Sequence, residues 1–595
     1  MHSETETEGG AAVGGNRLEG RVWPRRRVLK AITAVGVGSA VFGRALVALA
    51  AEKMRLTPKM IRQAEWVSGI DLDQEKRDLM LAGVNETLES FNEIRKIEID
   101  NSVAPALYFS PDPGRRESRS EPPARMMKNR PARGGSLSRG DLPFATLTAL
   151  AGQIRSRRIS SVELTRYYLE RLRTHDPVLK CVINFTEKLA LEQAERADKE
   201  ISAGRYRGPL HGIPWGVKDL LAVPEYRTTW GAVPYREQVL SEKAAVVARL
   251  EEAGAVLLAK LSVGALAWGD VWFGGTTKNP WNTEQGSSGS SAGPASATAA
   301  GLVGFAIGTE TWGSIVSPCT RCGVTGLRPT FGRVSRAGTM ALAWSMDKIG
   351  PIARSVEDCA LVFDAIRGAD PADPTAVDRP FEWPFSGDPK ELRVGYVKSL
   401  FDEDRTGFAD DEPGKADLRE WQEFDNRTLE TLRRIGFRLQ PIELPDKYPV
   451  SALSFILTAE AAAAFDDLTR SGRDDLLVRQ VADAWPNVFR QGQVVPAVEY
   501  IRANRIRTLV MREMEKMFEE IDVYVCPSFG GSNLLLTNLT GHPSVVLPNG
   551  FRSSNGTPTS ITFLGKLFGE TQVLAVADLY QKETDFHLQE PPLKA

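Results

Sequence analysis

The chain has 595 residues, of which 42% are hydrophobic and 25% charged, and its formal net charge is −2. This balance excludes a disordered chain and a nucleic-acid-binding protein as a whole. Five cysteines over this length exclude a disulfide scaffold.

At the N-terminus, Arg25-Arg26-Arg27-Val28-Leu29-Lys30 precedes a mildly apolar stretch, Ala31 to Ala50, interrupted by Arg44 and three glycines. The pattern is similar to a twin-arginine export signal over residues 1–50, with Ala48-Leu49-Ala50 supplying the small residues before a cut after Ala50. A membrane anchor is the lesser alternative. The expected locations are therefore the periplasm or the exterior, with the export machinery as one partner. Residues 51–110 follow as a helical segment. Thr57-Pro58 suits an N-cap and first helical position, and two helices are expected, Pro58 to Arg77 and Asp78 to Lys96. Residues 111–140 read as a solvated linker: five prolines, no aromatic residue, and eight Lys/Arg against three Asp/Glu.

Residues 141–590 alternate helix and strand signals. Helical spacing marks Val162 to Arg173, with Ser160 and Glu163 placed as a capping box. It returns in Leu189 to Ala203, Lys243 to Ala253, Asn426 to Ile435 and Tyr500 to Glu520. A small-residue stretch from Ala295 to Phe305 predicts a packed helix. Gly254 to Leu258, Leu392 to Tyr396 and Val523 to Val525 predict strands. The alternation points to a layered α/β/α sandwich. Trp421, Tyr448, Phe455, Phe465 and Trp485 are expected mainly in the core. His175 is expected as a solvated helix end, and His211 and His542 as structural or pocket-lining residues in Gly/Pro turns.

Three local patterns carry chemistry: Gly216-Val217-Lys218-Asp219, Ser287-Ser288-Gly289-Ser290-Ser291 and Glu310-Thr311-Trp312-Gly313-Ser314-Ile315. A serine nucleophile needs a proton acceptor, usually histidine. With only five histidines in the chain, lysine becomes a serious candidate. Lysine acts as a base only when neutral, and burial favours that form. The apolar flanks of Lys218 predict a buried strand end. Asp219 is read as structural. Cys319-x-x-Cys322 lacks a second cysteine pair, so no metal site is expected.

In this order the patterns resemble the amidase signature hydrolases. The resemblance runs from near Asp141 to about Leu579. It includes Gly208-Pro209-Leu210-His211-Gly212-Ile213-Pro214, Lys278-Asn279-Pro280-Trp281-Asn282, Gly323-Val324-Thr325-Gly326-Leu327-Arg328-Pro329 and Gly350-Pro351-Ile352-Ala353-Arg354-Ser355. It implies a large mixed sheet and a Ser-cisSer-Lys triad. Ser314 would be the nucleophile, Ser290 the bridging serine on a cis peptide, and Lys218 the base. The N–H groups of Thr311, Trp312, Gly313 and Ser314 would form the oxyanion hole, and Ser291 would line the substrate site. The implied activity is hydrolysis of a small-molecule linear amide, with no cofactor and no nucleic acid. Monomer and homodimer both stay open. Several departures bear on substrate. Trp312 stands where the family has glycine. Glu310 replaces aspartate, and Val316 replaces the arginine of a core ion pair. Gly264-Ala265 stand where tRNA amidotransferase A subunits usually carry acidic residues. Two alternatives follow: an ammonia-donating A subunit, which export would rule out, and a non-catalytic binding protein whose oxyanion turn Trp312 blocks.

Overall fold

The computed structural model describes residues 55–107, 137–409 and 411–593. The chain divides into two compact units, residues 1–57 and 58–595, and only residues 55–57 of the first are described. The export signal and nearly all of the linker expected from the sequence lie outside the described residues.

The second unit is built on an eleven-stranded mixed sheet. Its strands are β1 Val182–Phe185, β2 Pro214–Lys218, β3 Val256–Leu261, β4 Phe305–Glu310, β5 Thr325–Arg328, β6 Lys348–Ala353, β7 Val394–Val397, β8 Leu439–Ile442, β9 Val523–Pro527, β10 Ser544–Phe551 and β11 Pro558–Gly565. The spatial order is β1-β3-β2-β4-β6-β5-β10-β11-β9-β7-β8. β2 runs parallel to β3 and β4, and β6 runs antiparallel to β4. The C-terminal ends of β2 and β4 therefore meet, and β6 places Lys348 opposite Glu310.

Both faces of the sheet are covered, and the period of two along a strand shows it. On β6 and β10, Ile352 and Val546 pack with Ala295, Ile315 and Cys319 of the overlying helices, whereas Ile349 and Val545 enter the larger core. The helices on the first side are Ala292–Ala299 and Val316–Cys322. They approach closely because the strand beneath is small: a Cβ on Gly326 would meet Ile315 and Cys319 at 2.6 and 2.7 Å. Phe455, Phe465 and Trp485 are buried in the larger core, while Trp421 and Tyr448 are only partly buried.

Several boundaries differ from expectation. The N-terminal helices are Pro58–Ser68 and Gln74–Arg95, because Gly69 takes a left-handed φ of 66° and the Asp73 side chain caps the next helix at Lys76 N–H. The small-residue helix stops at Ala299 rather than Phe305. Gly301 turns with φ 63°, and residues from Phe305 join the sheet. His175 is buried inside a helix that continues to Leu179, not a solvated end. The capping box at Ser160 and Glu163 forms at the start of that helix.

Candidate active site

The site is assembled where β2 and β4 end. Lys218 is the last residue of β2 and is 0% exposed. Its Nζ lies 2.9 Å from Ser290 Oγ, 3.1 Å from Ser291 Oγ and 2.8 Å from Thr309 Oγ1, with Thr309 O at 3.4 Å. All four are neutral oxygens. No carboxylate lies within ion-pair distance of Lys218 among the described residues. Burial pushes its ammonium well below the usual lysine range, against the pull of Asp347 and Glu310.

Two further buried lysines show the contrast. Lys260, beside it on β3, pairs with Asp219 at 2.9 Å and donates to the Thr228 hydroxyl. Asp219 also accepts from Thr229 N–H at 2.8 Å, so it serves a structural pair, and its partner is not Lys218. Lys348 donates to the Met346 carbonyl. Only Lys218 is surrounded by serine and threonine hydroxyls.

The serine-glycine tract is not a linker. Ser287 N–H donates to Thr277 O, Ser288 N–H to Asp270 Oδ2 at 2.9 Å, and Gly293 N–H to Ser262 O. The Gly289–Ser290 peptide is cis. Gly289 must be glycine, since a Cβ there would sit 1.8 Å from Gly269 O. The two serines differ in role. Ser291 Oγ donates to Thr309 O at 3.0 Å and accepts from Thr309 N–H at 3.2 Å. Its proton is committed. The Ser290 hydroxyl bonds to Lys218, so its proton remains available to the amine.

Ser314 is half-buried and joins this cluster through the backbone, its carbonyl accepting from Ser291 N–H at 3.1 Å. The Ser288 and Ser317 hydroxyls, 2.8 Å apart, tie the tract to the helix that follows Ser314. Gly313 has φ 86°, which only glycine adopts without strain, and a Cβ there would press on Leu534 at 3.0 Å. Glu310 organises the rest of the turn. Its Oε2 accepts from Ile315 N–H at 2.8 Å and Val316 N–H at 3.0 Å. Its Oε1 accepts from Arg328 at 2.7 Å and Asn538 at 2.9 Å. Burial alone would raise its pKa, but Arg328 and these donors outweigh it and hold the carboxyl at about 2. The core ion pair expected to be lost with Val316 is thus present in another form, with Arg328 as cation. Glu310 takes the donors just after the turn, and the N–H groups of Trp312, Gly313 and Ser314 have no protein acceptor among the described residues. Trp312 itself is 43% exposed.

Two contributors carry no motif of their own. Thr309 supplies two oxygens to Lys218, and its only signal in the sequence is its place one residue before Glu310. Asp347 accepts from the Thr311 hydroxyl at 2.5 Å and, through its other oxygen, from Leu342 and Ala343 N–H at 2.8 and 3.0 Å. It lies in a loop with no periodic pattern to mark it. The histidines stand apart: among the described residues no histidine ring bonds to the site. Burial holds His542 at about 3 and His211 at about 4. Those residues also hold no cluster of His, Cys, Asp and Glu fit for a metal ion.

A family model described as Amidase matches residues 163–535. The A subunit of glutamyl-tRNA(Gln) amidotransferase from Methylococcus capsulatus is 35% identical over 491 residues, which are 75% of this chain and 98% of that protein. The corresponding protein from Roseiflexus sp. is 35% identical over 479 residues, 73% and 95% of the two chains. Among solved structures, the peptide amidase from Stenotrophomonas maltophilia superposes with a TM-score of 0.64 at 28% identity, covering 76% of this chain and 98% of its own.

Proposed function

This chain belongs to the amidase signature family, whose enzymes act on amides, and we propose that it is a serine amidohydrolase cleaving a linear carboxamide through an acyl-enzyme on Ser314. The observation that carries the reading is a neutral-prone lysine in a hydroxyl cage, one backbone bond away from a serine whose turn presents three free N–H groups. In the proposed reaction Ser290 gives its proton to the Lys218 amine and takes the proton of Ser314. Ser314 Oγ forms a bond to the amide carbon. The carbonyl oxygen gains charge and is met by the open N–H groups, donors worth roughly 2.7–4 kcal/mol each in such sites. The C–N bond then breaks, the amine leaving with the proton returned from Lys218. Water attacks the ester by the same route in reverse, releasing the acid and restoring Ser314.

The Arg25–Arg27 cluster and the Ala31–Ala50 stretch support an exported enzyme, with the export machinery as a transient partner. A second reading, an ammonia-donating component of an amidotransferase, is favoured by the identity to the glutamyl-tRNA(Gln) amidotransferase proteins. It requires a cytoplasmic chain that copurifies with a second component. Labelling the full chain with a fluorophosphonate tests the primary reading. An adduct on Ser314 that is lost in Lys218→Ala is the expected result. Equal labelling in Lys218→Ala would refute the lysine's role.

A further inference from the structure

Glu460 and Arg507 are both buried, and they meet at one residue, Ser345. Glu460 belongs to the helix Phe455–Ala464 and Arg507 to the helix Ala497–Glu520. The Glu460 carboxylate accepts from Ser345 N–H at 2.9 Å and from the Ser345 hydroxyl at 2.5 Å. The Tyr500 hydroxyl also donates to it, at 2.9 Å. Arg507 donates to Ser345 Oγ at 2.7 Å and to Ser345 O at 2.6 Å. Every polar group of this serine is thus held by a charged side chain, and such bonds are the stronger and more directional kind.

Both ends of the nucleophile's turn trace back to this guanidinium. On one side, Ser345 lies two residues before Asp347, which accepts from the Thr311 hydroxyl and from Leu342 and Ala343 N–H. On the other, Arg507 Nε donates to Leu539 O in the helix Asn533–Thr540. Asn538 of that helix donates to Glu310, which accepts from Ile315 and Val316 N–H. Thr311 and Ile315 bracket the open N–H groups of Trp312, Gly313 and Ser314. The helix that carries Arg507 is itself gripped by the N-terminal segment: Arg505 donates to Val103 O at 2.8 Å, and Ala106 N–H donates to Asn504 O at 3.0 Å. Buried charges are a poor source of stability, because desolvation offsets their attraction. What a planar guanidinium supplies is fixed direction, with several donors set in one fork. Burial pulls Arg507 down to about 10 against the pull of Glu460, so it stays charged at neutral pH.

Resting on the amidohydrolase reading, we infer that Arg507, oriented with Ser345 by Glu460, is a positioning residue that fixes both ends of the oxyanion turn. Its hydrogen-bond partners are Ser345 and Leu539, not Ser314, Ser290 or Lys218, so it acts through the turn's geometry and not on the reacting atoms. The test is the rate of fluorophosphonate labelling of Ser314 in the full chain, separated into the maximal rate and the half-saturating probe concentration. Arg507→Lys keeps the charge but has no fork to hold Ser345 and Leu539 together. It should lower the maximal rate about 10–100-fold, the loss that a small misplacement causes, with the half-saturating concentration within about threefold. The kcat for the acetyl substrate p-nitroacetanilide should fall in step. The pH midpoint of labelling should stay where it is, because Lys218 keeps all its partners. Ser345→Ala keeps the backbone bonds and covers the case in which Arg507→Lys does not fold; it should lose about 3–10-fold. The loss from Arg507→Lys should also be smaller in the Ser345→Ala background, since the two residues share one connection. Labelling within about twofold of the parent in the folded variant, or a loss explained by a shifted pH midpoint, overturns this inference alone. Absence of labelling in the parent overturns it together with the reading beneath it.

Discussion

Replacing Glu310 by glutamine tests the link between the core and the catalytic turn. The carboxylate is fully buried, holds two N–H groups at the start of the helix after Ser314, and faces Arg328 and Asn538 with its other oxygen. A glutamine keeps one oxygen but turns an NH2 group toward donors on one side. With the oxygen kept on the backbone N–H groups, Arg328 is left a buried cation without its counter-ion. Breaking such a pair costs about 3–5 kcal/mol. The pKa gives a second route to the size. A carboxyl at about 2 against an ordinary 4.5 corresponds to about 3 kcal/mol at 1.36 kcal/mol per pH unit. The folded pKa is depressed, so this stabilisation is present above about pH 4.5 and is lost as pH falls toward 2. Glu310→Gln should thus lower the unfolding free energy by about 3–5 kcal/mol at neutral pH and slow Ser314 labelling. Urea unfolding followed by two probes measures the first. Adding Arg328→Met should recover part of the stability, because no lone charge remains, without restoring the labelling rate. A change below about 1 kcal/mol with labelling within twofold of the parent would refute this coupling.

Other consequences are open to direct measurement. Lys218→Met should reduce turnover by about 10²–10⁴-fold, the usual contribution of a general base. The sign of its stability effect is opposite to that of Glu310. With the folded pKa lowered, the charged amine is disfavoured in the folded chain, so the parent is penalised at pH below the ordinary 10.5 and Lys218→Met should be the more stable protein. In the parent, kcat/KM should rise with pH through the lowered Lys218 pKa, below the ordinary 10.5, and a rise only above that value would contradict the assignment. Asp347→Ala should lower kcat by about 10–100-fold with a smaller change in KM, since it frees Thr311 and the 342–343 loop, and Asp347→Asn should restore much of it by keeping an acceptor. Trp312→Gly keeps the backbone N–H and should leave acetyl-substrate turnover within about tenfold. A far larger gain would mean that Trp312 blocks the turn and that the parent is a binding protein.

How much of this was legible in the sequence follows from which forces are local. The capping box at Ser160, the start at Pro58 and the burial of the Lys218 strand are written in neighbouring residues, and they can be read there. The end of the small-residue helix cannot, because Ala295 to Phe305 is uniformly small or apolar and only Gly301, with φ 63°, marks the passage from helix to strand. The serine motifs named residues 218, 290, 291 and 314, but not what connects them. Thr309 and Arg328 reach the site from strands, Asp347 from a loop and Asn538 from the helix Asn533–Thr540, and each connection is a tertiary hydrogen bond with no periodic trace. The ion pair attributed to position 316 shows the same limit. A buried carboxylate must find a cation, but the chain does not say from which element.

The three buried lysines separate burial from basicity. They lie on adjacent parts of one sheet, and burial lowers the pKa of each. Burial alone therefore does not select a base. Lys260 has Asp219 at 2.9 Å, and that counter-ion stabilises the charged form, which cannot accept a proton. Lys348 bonds to a carbonyl, which has no proton to give. Lys218 alone combines a desolvated amine, no carboxylate partner and a hydroxyl whose proton is free, that of Ser290. Installing an acid beside it removes one of these conditions without touching the others. Thr309→Asp, which replaces the 2.8 Å hydroxyl partner by a carboxylate, should hold Lys218 protonated and silence Ser314 labelling at neutral pH, with recovery as pH rises. Full labelling of a folded Thr309→Asp protein at about pH 7 would show that the neutral amine is not what activates the serine.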